Sequence, residues 1–335
     1  MNQRPLVSVV IVSENGRDHL ESCLGSVFEQ EYKLVDVIVV DNGSTDDSAG
    51  FVQDRFPVVT LLRNKDREGF GRAANTGVAS ARGEYVALLD IHMEVDRRWL
   101  SSLIEAMRSV PAALLASRII RGSEGAEHPS RNETLNFTGH RITGAFEDPS
   151  TIFYAPAAAL FFPRTLIGSP FPEDDVRHRE DVYLSWRLRL AGHAVRLVPE
   201  SVVRDRSGIV AAGQSSRQMT MSHERNRLLN ALLFFEQRTL VKLLPYFLID
   251  SVLLSVRAVF RKGDSFGGTL NAYFWLASHR RWIAERRNGV QGGRRVTDAK
   301  ILPLLSHKIT NGRSAGARFV NTISRLYVRL VRLVP

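Results

Sequence analysis

The sequence predicts an α/β fold in which a mostly parallel central sheet is flanked by helices, followed by basic amphipathic helices at the C-terminal end. Three observations predict it. Short apolar runs rich in β-branched residues alternate with helical periodicity over the first part of the chain. Polar clusters follow three of the first four predicted strands. After about residue 217 the pattern changes to basic, Leu-rich helices. We therefore expect two regions, residues 1–216 and residues 217–335.

The alternation over the first 90 residues predicts four strands with helices between them. Each strand is too short and too rich in Val and Ile for a buried helix. Asp46 and Asp47 stand where they can cap the second helix. The predicted strands are residues 7–12, 35–40, 58–62 and 84–89, and the predicted helices are residues 17–30, one after Asp47, and one opened by residues 69–77.

The middle of the chain is less regular. Residues 121–150 are rich in Gly, Ser, Glu, Asn and Pro, which predicts a long surface loop or a hairpin. Residues 163–180 have the Pro-rich and charged profile of a mobile loop beside a site. The regular elements predicted here are a helix over 101–109, strands over 113–120 and 194–198, an apolar run over 157–162 and a helix over 181–191.

The C-terminal region carries 21 Lys and Arg against 6 Asp and Glu, whereas residues 1–216 carry 24 against 29. Helices are predicted over 220–236, 239–261, 266–287 and 314–333. On an ideal helix of about 100° per residue, Phe319, Ile323, Leu326, Leu330 and Val334 share one stripe, with Arg318, Arg325, Arg329 and Arg332 beside it. This pattern predicts a helix lying on an anionic membrane surface. The alternative is a helix packed on its own core with a solvated Arg face.

Composition excludes several classes of protein. The 335 residues include one cysteine, Cys23, so neither an intrachain disulfide nor a Cys-based zinc cluster is possible. No run of about 20 uncharged apolar residues occurs, and the N-terminal residues lack the features of a secretory signal. The basic residues do not alternate with an aromatic platform, so we do not expect a nucleic-acid partner. We expect a cytoplasmic protein, peripheral on the inner face of the cell membrane.

Polar clusters at strand ends indicate a ligand site, because open parallel sheets bind ligands at the carboxyl ends of their strands. Taken singly, each acidic residue would pass for a helix cap. Together, carboxylates at one sheet edge suit a nucleotide and a cation. The chain has no phosphate loop with Gly-Lys-Ser/Thr, and Gly69-Phe70-Gly71 does not fit the dinucleotide fingerprint. The three clusters are Ser13-Glu14-Asn15, Asp41 to Asp46, and Asp90-Ile91-His92.

These motifs resemble the family 2 glycosyltransferases. The resemblance is carried by residues 7–15, by the Val-Val-Asp-Asn-Gly-Ser-Thr-Asp stretch ending at Asp46, and by Asn64 with residues 69–77. Residues 83–90 resemble the approach to that family's metal motif. Glu180-Asp181 with Trp186-Arg187 and residues 191–193 resembles its acceptor-side block, and residues 223–227 the start of its C-terminal helices. The match covers about 1–235; Arg294 to Asp298 resembles only bacterial rhamnosyltransferase-like members.

The resemblance implies a GT-A fold and a nucleotide-diphosphate sugar donor. Asp41 would contact the base or ribose, and Ser13, Glu14 and Asn15 would line the nucleotide pocket. Asp181 would be the general base that takes the proton of an acceptor hydroxyl, with inversion at the anomeric carbon. Its alternative role is a helix N-cap. The other donor-side candidates are Asn42, Asn64, Gly71, Asn75, Asp90, Arg204 and Arg206.

Two positions depart from the family pattern. His92 stands where the metal motif usually ends in Asp, and Asp205 stands where many relatives place a metal-binding His. We therefore predict a swapped site, with His92 and Asp205 as ligands and Asp90 in support. Mixed nitrogen and oxygen ligands favour Mn²⁺ over Mg²⁺. Alternatively, Arg204 and Arg206 neutralise the diphosphate without a metal, or the chain is inactive.

The whole sequence, with this resemblance, predicts an inverting glycosyltransferase. It would move a sugar from a UDP- or dTDP-sugar to a cell-envelope or lipid-linked glycan acceptor. The alternative is an inactive relative that binds sugar nucleotides or glycans as an assembly partner. The loop Arg177-His178-Arg179 either binds an anionic acceptor or is simply solvated.

Overall fold

The computed structural model describes residues 4–109, 114–121, 128–129, 133–143, 152–172, 179–207, 216–260, 266–312 and 314–333. Its first half alternates strands and helices as the sequence predicts. The elements are β1 (Val7–Ser13), α1 (Arg17–Phe28), β2 (Val35–Asn42), α2 (Ser48–Arg55), β3 (Thr60–Asn64), α3 (Phe70–Ser80) and β4 (Tyr85–Asp90). The four strands pair in parallel in the order β3-β2-β1-β4.

The sheet continues through the middle of the chain. The next elements are β5 (Met93–Val95), α4 (Trp99–Ser109), β6 (Leu114–Arg121), β7 (His128–Pro129), β8 (Glu133–Leu135), β9 (Arg141–Thr143), β10 (Ala159–Pro163), α5 (Glu180–Leu190) and β11 (Val195–Asp205). The order extends as β4-β10-β6-β11-β5, with β7 beside β6. Since β10 is antiparallel to both β4 and β6, the strands β6 and β11 run in the direction of β1 to β4. The carboxyl ends of all six therefore meet at one edge.

Two predictions for this part of the chain need correction. Residues 133–143 form the β8–β9 hairpin, but it is buried rather than superficial, since Leu135, Phe137 and Thr138 are at most 1% exposed. The C-terminal helices cover it, which the local composition could not indicate. The rest of 121–150 beyond β6 and β7 lies outside the described residues. The strand predicted over 194–198 runs on to Asp205, because a register shift between Val198 and Val202 accommodates Pro199.

The C-terminal region is helical, as predicted. Its elements are α6 (Ser216–Phe234), α7 (Gln237–Phe260), α8 (Phe266–Ser278), α9 (Arg280–Gly292), α10 (Asp298–Ile301), a 3₁₀ turn (Leu302–Leu304) and α11 (Ala315–Leu330). The single helix predicted over 266–287 is wrong, because the chain leaves helical geometry at His279. The His279 imidazole stacks on Trp275 and its Nδ1 lies 2.8 Å from the Trp275 carbonyl oxygen. It thereby satisfies a carbonyl at the end of α8.

Hydrophobic clusters cover both faces of the sheet, and a third cluster joins the sheet domain to the C-terminal helices. In this third cluster Trp186 of α5 packs on Phe153, Phe234 and Phe235. Arg294 and Asp298 strengthen the joint: Arg294 pairs with Asp298 at 3.0 Å, and Asp298 accepts a hydrogen bond from the Glu236 amide at 2.7 Å. The segment from Arg294 to Asp298, which resembles rhamnosyltransferase-like members, therefore has a structural role at this joint. The C-terminal helices and α5 share one core.

The apolar stripe of α11 is not packed on protein. Phe319 is 67% exposed, Leu326 59% and Leu330 81%, whereas Ser324 and Val328 form the buried side. The alternative of a stripe packed on its own core is therefore wrong for these three residues. Among the described helices, none combines the length and the apolar character needed to cross a bilayer.

Candidate active site

The carboxyl edge of the sheet brings together the polar clusters of three neighbouring strands. Register pairs Ser13 with Asp41 and Val12 with Asp90, so Ser13, Asp41 and Asp90 end three neighbouring strands at the same edge. Ser13 and Asp41 are at most 2% exposed. The Ser13 hydroxyl has no hydrogen-bond partner within the described residues. Because a buried unpaired hydroxyl costs free energy, this atom fits a site that a polar ligand completes.

Glu14 and Asn15 lie beside this edge, and both side chains have partners within the protein. The Asn15 amide oxygen accepts hydrogen bonds from the Thr45 amide at 2.8 Å and the Thr45 hydroxyl at 3.2 Å. Asn15 adopts a left-handed φ of 49°, which Asn tolerates better than most residues. Glu14 pairs with Arg67 at 2.8 Å. These contacts join the loops after β1, β2 and β3 into one wall.

Asn42 and Asn64 stabilise the same wall through hydrogen bonds. Asn42 donates to the Glu68 carbonyl at 2.9 Å and accepts from the Asn64 side chain at 3.0 Å. Asp41 keeps its carboxylate near Arg63 at 3.5 Å and accepts from the Ser44 amide at 3.2 Å. Asn42 therefore shapes the loop that positions Asp41.

Gly71 and Asn75 of α3 hold the segment around Phe171 against the site. The Asn75 side chain donates to the Phe171 carbonyl at 2.8 Å and accepts from the Phe171 amide at 3.1 Å. A side chain at Gly71 would come within 3.0 Å of the Phe171 Cβ and 3.7 Å of the Glu180 Cγ. The first turn of α5 thus lies next to the first turn of α3. Residues 163–172 of the predicted loop are docked in this way, and residues 173–178 lie outside the described part.

Asp90 and His92 form a carboxylate–imidazole pair. Asp90 Oδ1 lies 2.7 Å from His92 Nδ1 and also accepts from the His92 amide at 2.9 Å. The hydrogen bond to Asp90 raises the pKa of His92 above its ordinary value, against the effect of burial. The ring of His19 lies against His92, with ring centroids 4.5 Å apart. A carboxylate behind one ring nitrogen is the arrangement that orients a metal-binding His through the other.

Asp205 lies next to His92 in the sheet, since it pairs in register with Met93 of β5. Its carboxylate, however, contacts Arg121 at 3.0 Å and the Ser207 hydroxyl at 2.6 Å. Burial alone would raise the pKa of Asp205, but these hydrogen bonds outweigh it and lower the pKa. Within the described residues, no three His, Cys, Asp or Glu side chains come together as a metal-binding group. A cation at His92 and Asp205 therefore fits only if a ligand such as a diphosphate supplies further oxygens.

Arg204 stands on the opposite face of β11 from Asp205, because side chains alternate along a strand, and Arg206 is the first residue after the strand. Arg206 forms an ion pair with Glu94 at 2.8 Å, and Arg204 pairs in register with Glu94. Glu94 thus offsets part of their positive charge. Asp205 and Arg204 therefore point to opposite faces of β11.

Asp181 lies in the first turn of α5 and is 6% exposed. Its carboxylate contacts the guanidinium of Arg141 at 3.1 Å. Burial would lower the pKa of Arg141, but the negative charge of Asp181 raises it above the ordinary value. Arg141 comes from β9, within the stretch whose fold the sequence left open. No sequence motif marks Arg141, so its place in the site could not be predicted from the sequence.

A second charged group joins the β8–β9 hairpin to α6 and α7, and it includes Glu224 and Arg227 of the 223–227 block. Arg227 is fully buried and contacts Glu224 at 2.6 Å, Asp250 at 2.9 Å and the Thr138 carbonyl at 2.6 Å. His140 contacts Asp250 from the other side at 2.9 Å. Arg179 donates to the Gly139 carbonyl at 2.6 Å, and burial lowers its pKa to about 10. Arg179 is therefore partly buried rather than simply solvated; Arg177 and His178 lie outside the described residues.

Comparison with known proteins adds three findings. Residues 8–167 match the family model described as glycosyl transferase family 2. A pre-mycofactocin glycosyltransferase of Mycobacterium tuberculosis is 32% identical over 206 residues, which are 59% of this chain and 42% of that protein. The chain thus spans less than half of that relative.

Solved structures show the fold. GalNAc-T7 with UDP, GalNAc and Mn²⁺ has a TM-score of 0.60 at 16% identity, over 85% of this chain and 57% of that one. S. aureus TarS 1-349 in complex with UDP-GlcNAc has a TM-score of 0.54 at 14% identity, over 97% and 92% of the two chains. With the sheet described above, these likenesses confirm the predicted GT-A fold, and residues 8–167 are similar to the family 2 glycosyltransferases.

Proposed function

We propose that this protein is an inverting glycosyltransferase that uses a UDP- or dTDP-sugar, with Asp181 as general base. One observation carries the proposal: β1, β2 and β4 bring Ser13, Asp41 and Asp90 to one sheet edge, and the first turn of α5, which carries Glu180 and Asp181, lies next to the first turn of α3. The relative named above is a glycosyltransferase by name, and two solved neighbours contain UDP or UDP-GlcNAc.

The chemistry follows from the roles of these groups. The acceptor hydroxyl gives its proton to the Asp181 carboxylate while its oxygen bonds to the anomeric carbon. The bond from that carbon to the diphosphate oxygen breaks, and the nucleoside diphosphate leaves. Attack from the face opposite the leaving group inverts the configuration. Arg141 holds the carboxylate in place, and Asp41 accepts hydrogen bonds from the base or ribose.

A divalent cation is part of the proposal, since solved neighbours are complexes with Mn²⁺. His92, oriented by Asp90, and Asp205 would hold it, with the donor diphosphate completing the shell. When bound, such a cation neutralises the charge that develops on the leaving diphosphate. Arg204 and Arg206 are the alternative source of positive charge. Mn²⁺ is favoured over Mg²⁺ by the imidazole ligand.

Replacing Asp181 by Asn tests the base. We expect Asp181→Asn to lower sugar transfer by about 10²- to 10⁴-fold, the range for a positioned base, while UDP binding stays unchanged. Release of nucleoside diphosphate is measured over a panel of UDP- and dTDP-sugars with a membrane lipid extract as acceptor. Asp54→Asn, an exposed acid on α2, is the matched control. Full transfer by Asp181→Asn contradicts the role of Asp181. Nucleotide binding without any transfer by the unaltered protein supports the inactive relative instead.

Calorimetric titration with UDP and dTDP, with and without Mn²⁺, tests the cation. We expect binding that strengthens with Mn²⁺ in the unaltered protein and loses this dependence in His92→Ala. Equal binding without metal would point to Arg204 and Arg206 at the diphosphate and would overturn the metal site. The nucleotide that binds more tightly would indicate whether the donor is a UDP-sugar or a dTDP-sugar.

We further propose that the acceptor is a cell-envelope or lipid-linked glycan and that the protein works at the inner face of the cell membrane. The exposed apolar stripe of α11 supports this location. On α7, Leu244, Leu248 and Val252 are 56%, 61% and 63% exposed. They fall on one helical face at spacings of four residues. The net positive charge of the C-terminal region adds attraction for anionic lipid.

A further inference from the structure

A cavity of about 740 Å³ lies between β9, α7 and the start of α11. Its wall includes Arg141, which contacts Asp181 at 3.1 Å. This volume is in the range of small-molecule sites. The side chain of Arg141 would therefore lie between a molecule held there and the candidate base.

The charged groups on this wall are paired within the protein. Arg141 pairs with Asp181, and Asp250 pairs with the buried Arg227 at 2.9 Å. The other polar side chains on the wall include Thr310, Asn311 and Ser314, which carry hydroxyl and amide groups. Hydroxyl and amide groups both donate and accept hydrogen bonds, so this wall suits a neutral head that carries hydroxyls.

A smaller cavity of about 150 Å³ adjoins the first and is lined mainly by apolar side chains. Ile309 and Val320 line both cavities. The smaller one lies between α7 and α11, which run antiparallel: the Tyr246 hydroxyl contacts Ser324, and Tyr327 donates to the Lys242 carbonyl at 2.8 Å. The lining of the smaller cavity, which is farther from Arg141, is therefore less polar than that of the larger one.

The outer rim of the smaller cavity reaches the surface. Ile249 and Ile323 line it and are 42% and 46% exposed. The exposed apolar residues of α7 and α11 continue from this rim. A chain lying between the helices could therefore pass to the surface that we propose rests on lipid.

We propose that the two cavities form the acceptor site, and that the acceptor is an amphiphile with a neutral, hydroxyl-bearing head and an alkyl chain. The head occupies the larger cavity beside Arg141, which contacts Asp181. The chain lies in the smaller cavity between α7 and α11. This inference rests on the proposed function, because it assigns the acceptor of the same reaction.

The test measures binding of methyl, hexyl and octyl β-glucoside and of octyl phosphate, below their micelle concentrations, to the full chain with saturating UDP. Gly316→Phe blocks the larger cavity: Gly316 lines it, and a Cβ there meets no atom within 4 Å. Gly289→Phe on α9 is the matched control, because its Cβ also meets no atom within 4 Å and it does not line the cavity.

We expect affinity for the glucosides to rise about fourfold for each methylene that enters the smaller cavity. Gly316→Phe should weaken octyl glucoside binding at least tenfold, and Gly289→Phe should not. Equal affinity for methyl and octyl glucoside would overturn the chain site. Unchanged binding by Gly316→Phe would place the probe on the outer helix face and overturn the cavity. Tenfold tighter binding of octyl phosphate would overturn the neutral head.

Measurements of UDP binding and turnover distinguish a wrong acceptor assignment from a wrong proposed function. If the unaltered protein binds UDP and turns over a sugar nucleotide but shows none of the expected glucoside dependence, the acceptor assignment alone is wrong. If it neither binds UDP nor dTDP nor turns over any donor, the proposed function fails, and the cavities lose their role as an acceptor site.

Discussion

Arg227 shows how one side chain can tie the proposed catalytic region to the C-terminal helices. It is fully buried on α6, yet it contacts Glu224 on its own helix, Asp250 on α7 and the Thr138 carbonyl in the β8–β9 hairpin. Burial would lower the pKa of Arg227, but Glu224 and Asp250 raise it, so the cation is held in the interior. The hairpin bearing Arg141 therefore rests on a buried ion-pair network.

Removing this cation should destabilise the protein strongly. Arg227→Met removes the cation that contacts Glu224 and Asp250, which are 6% and 4% exposed, and leaves Asp250 with His140 alone among the contacts named above. Breaking a buried pair in this way costs about 3–5 kcal/mol. Urea unfolding followed by tryptophan fluorescence measures the change. Arg238→Met, at an exposed position on α7, should stay within about 0.5 kcal/mol of the unaltered protein. Equal losses for the two variants would contradict the network.

The residues that could be predicted from the sequence are those whose position follows from a strand end. Ser13, Asp41 and Asp90 follow apolar strands, and parallel pairing brings such ends together. Arg141 and Arg227 could not be found in this way, because each acts on partners distant in sequence. Arg141 and Asp181 are 40 residues apart, and Arg227 and Thr138 are 89 apart. Periodicity carries no information about such pairs.

At the scale of elements, the contact between α3 and the segment around Phe171 connects two parts of the site. Asn75 satisfies both the amide and the carbonyl of Phe171, which is 2% exposed. The sequence indicated Asn75 as a donor-binding residue through family resemblance. Its side-chain amide instead has a structural partner on each side, and any effect on the donor would come through the loop.

Asn75→Ala should therefore loosen this loop. Two buried backbone groups lose their partners, at a cost of about 1–3 kcal/mol. Hydrogen exchange at the Phe171 amide should become faster, since its acceptor is gone. Thr76→Ala, one residue away at an exposed position, should leave that amide protected. Unchanged exchange in Asn75→Ala would show that the loop is held by packing alone.

The same scale explains which element boundaries could be predicted. The strands of the first half were predicted within about two residues, because the apolar runs of β1, β2 and β4 are buried on both faces of the sheet. The break at His279 and the extension of β11 past Pro199 could not be. The first depends on a side chain that stacks on the preceding turn, and the second on a partner strand that absorbs a register shift.

The whole molecule is asymmetric in charge and in surface. The sheet domain is net acidic, whereas residues 217–335 carry a net charge of +15. Exposed apolar side chains are concentrated on α7, α8 and α11 of that basic half, with Phe274 at 75% among them. Apolar side chains beside arginines suit an interface that is both hydrocarbon and anionic. The amphipathic stripe was predictable from spacing, but that it remains exposed was not, because exposure depends on which helices pack together.

This surface predicts lipid binding that requires both features. Vesicles that contain anionic phosphatidylserine should bind the protein, and neutral phosphatidylcholine vesicles should bind it far less, since each basic residue near an anionic surface contributes about 1 kcal/mol. The double variant Leu248→Asp with Leu326→Asp should lose most of the binding, because it removes apolar contact on both helices and adds negative charge. Val58→Asp is the matched control: Val58 is also apolar and is 77% exposed, but it lies on the sheet domain. Vesicle flotation measures all of these. If the double variant floats as well as Val58→Asp, or if neutral vesicles bind equally well, the exposed face of α7 and α11 serves another partner and the proposed location at the membrane fails.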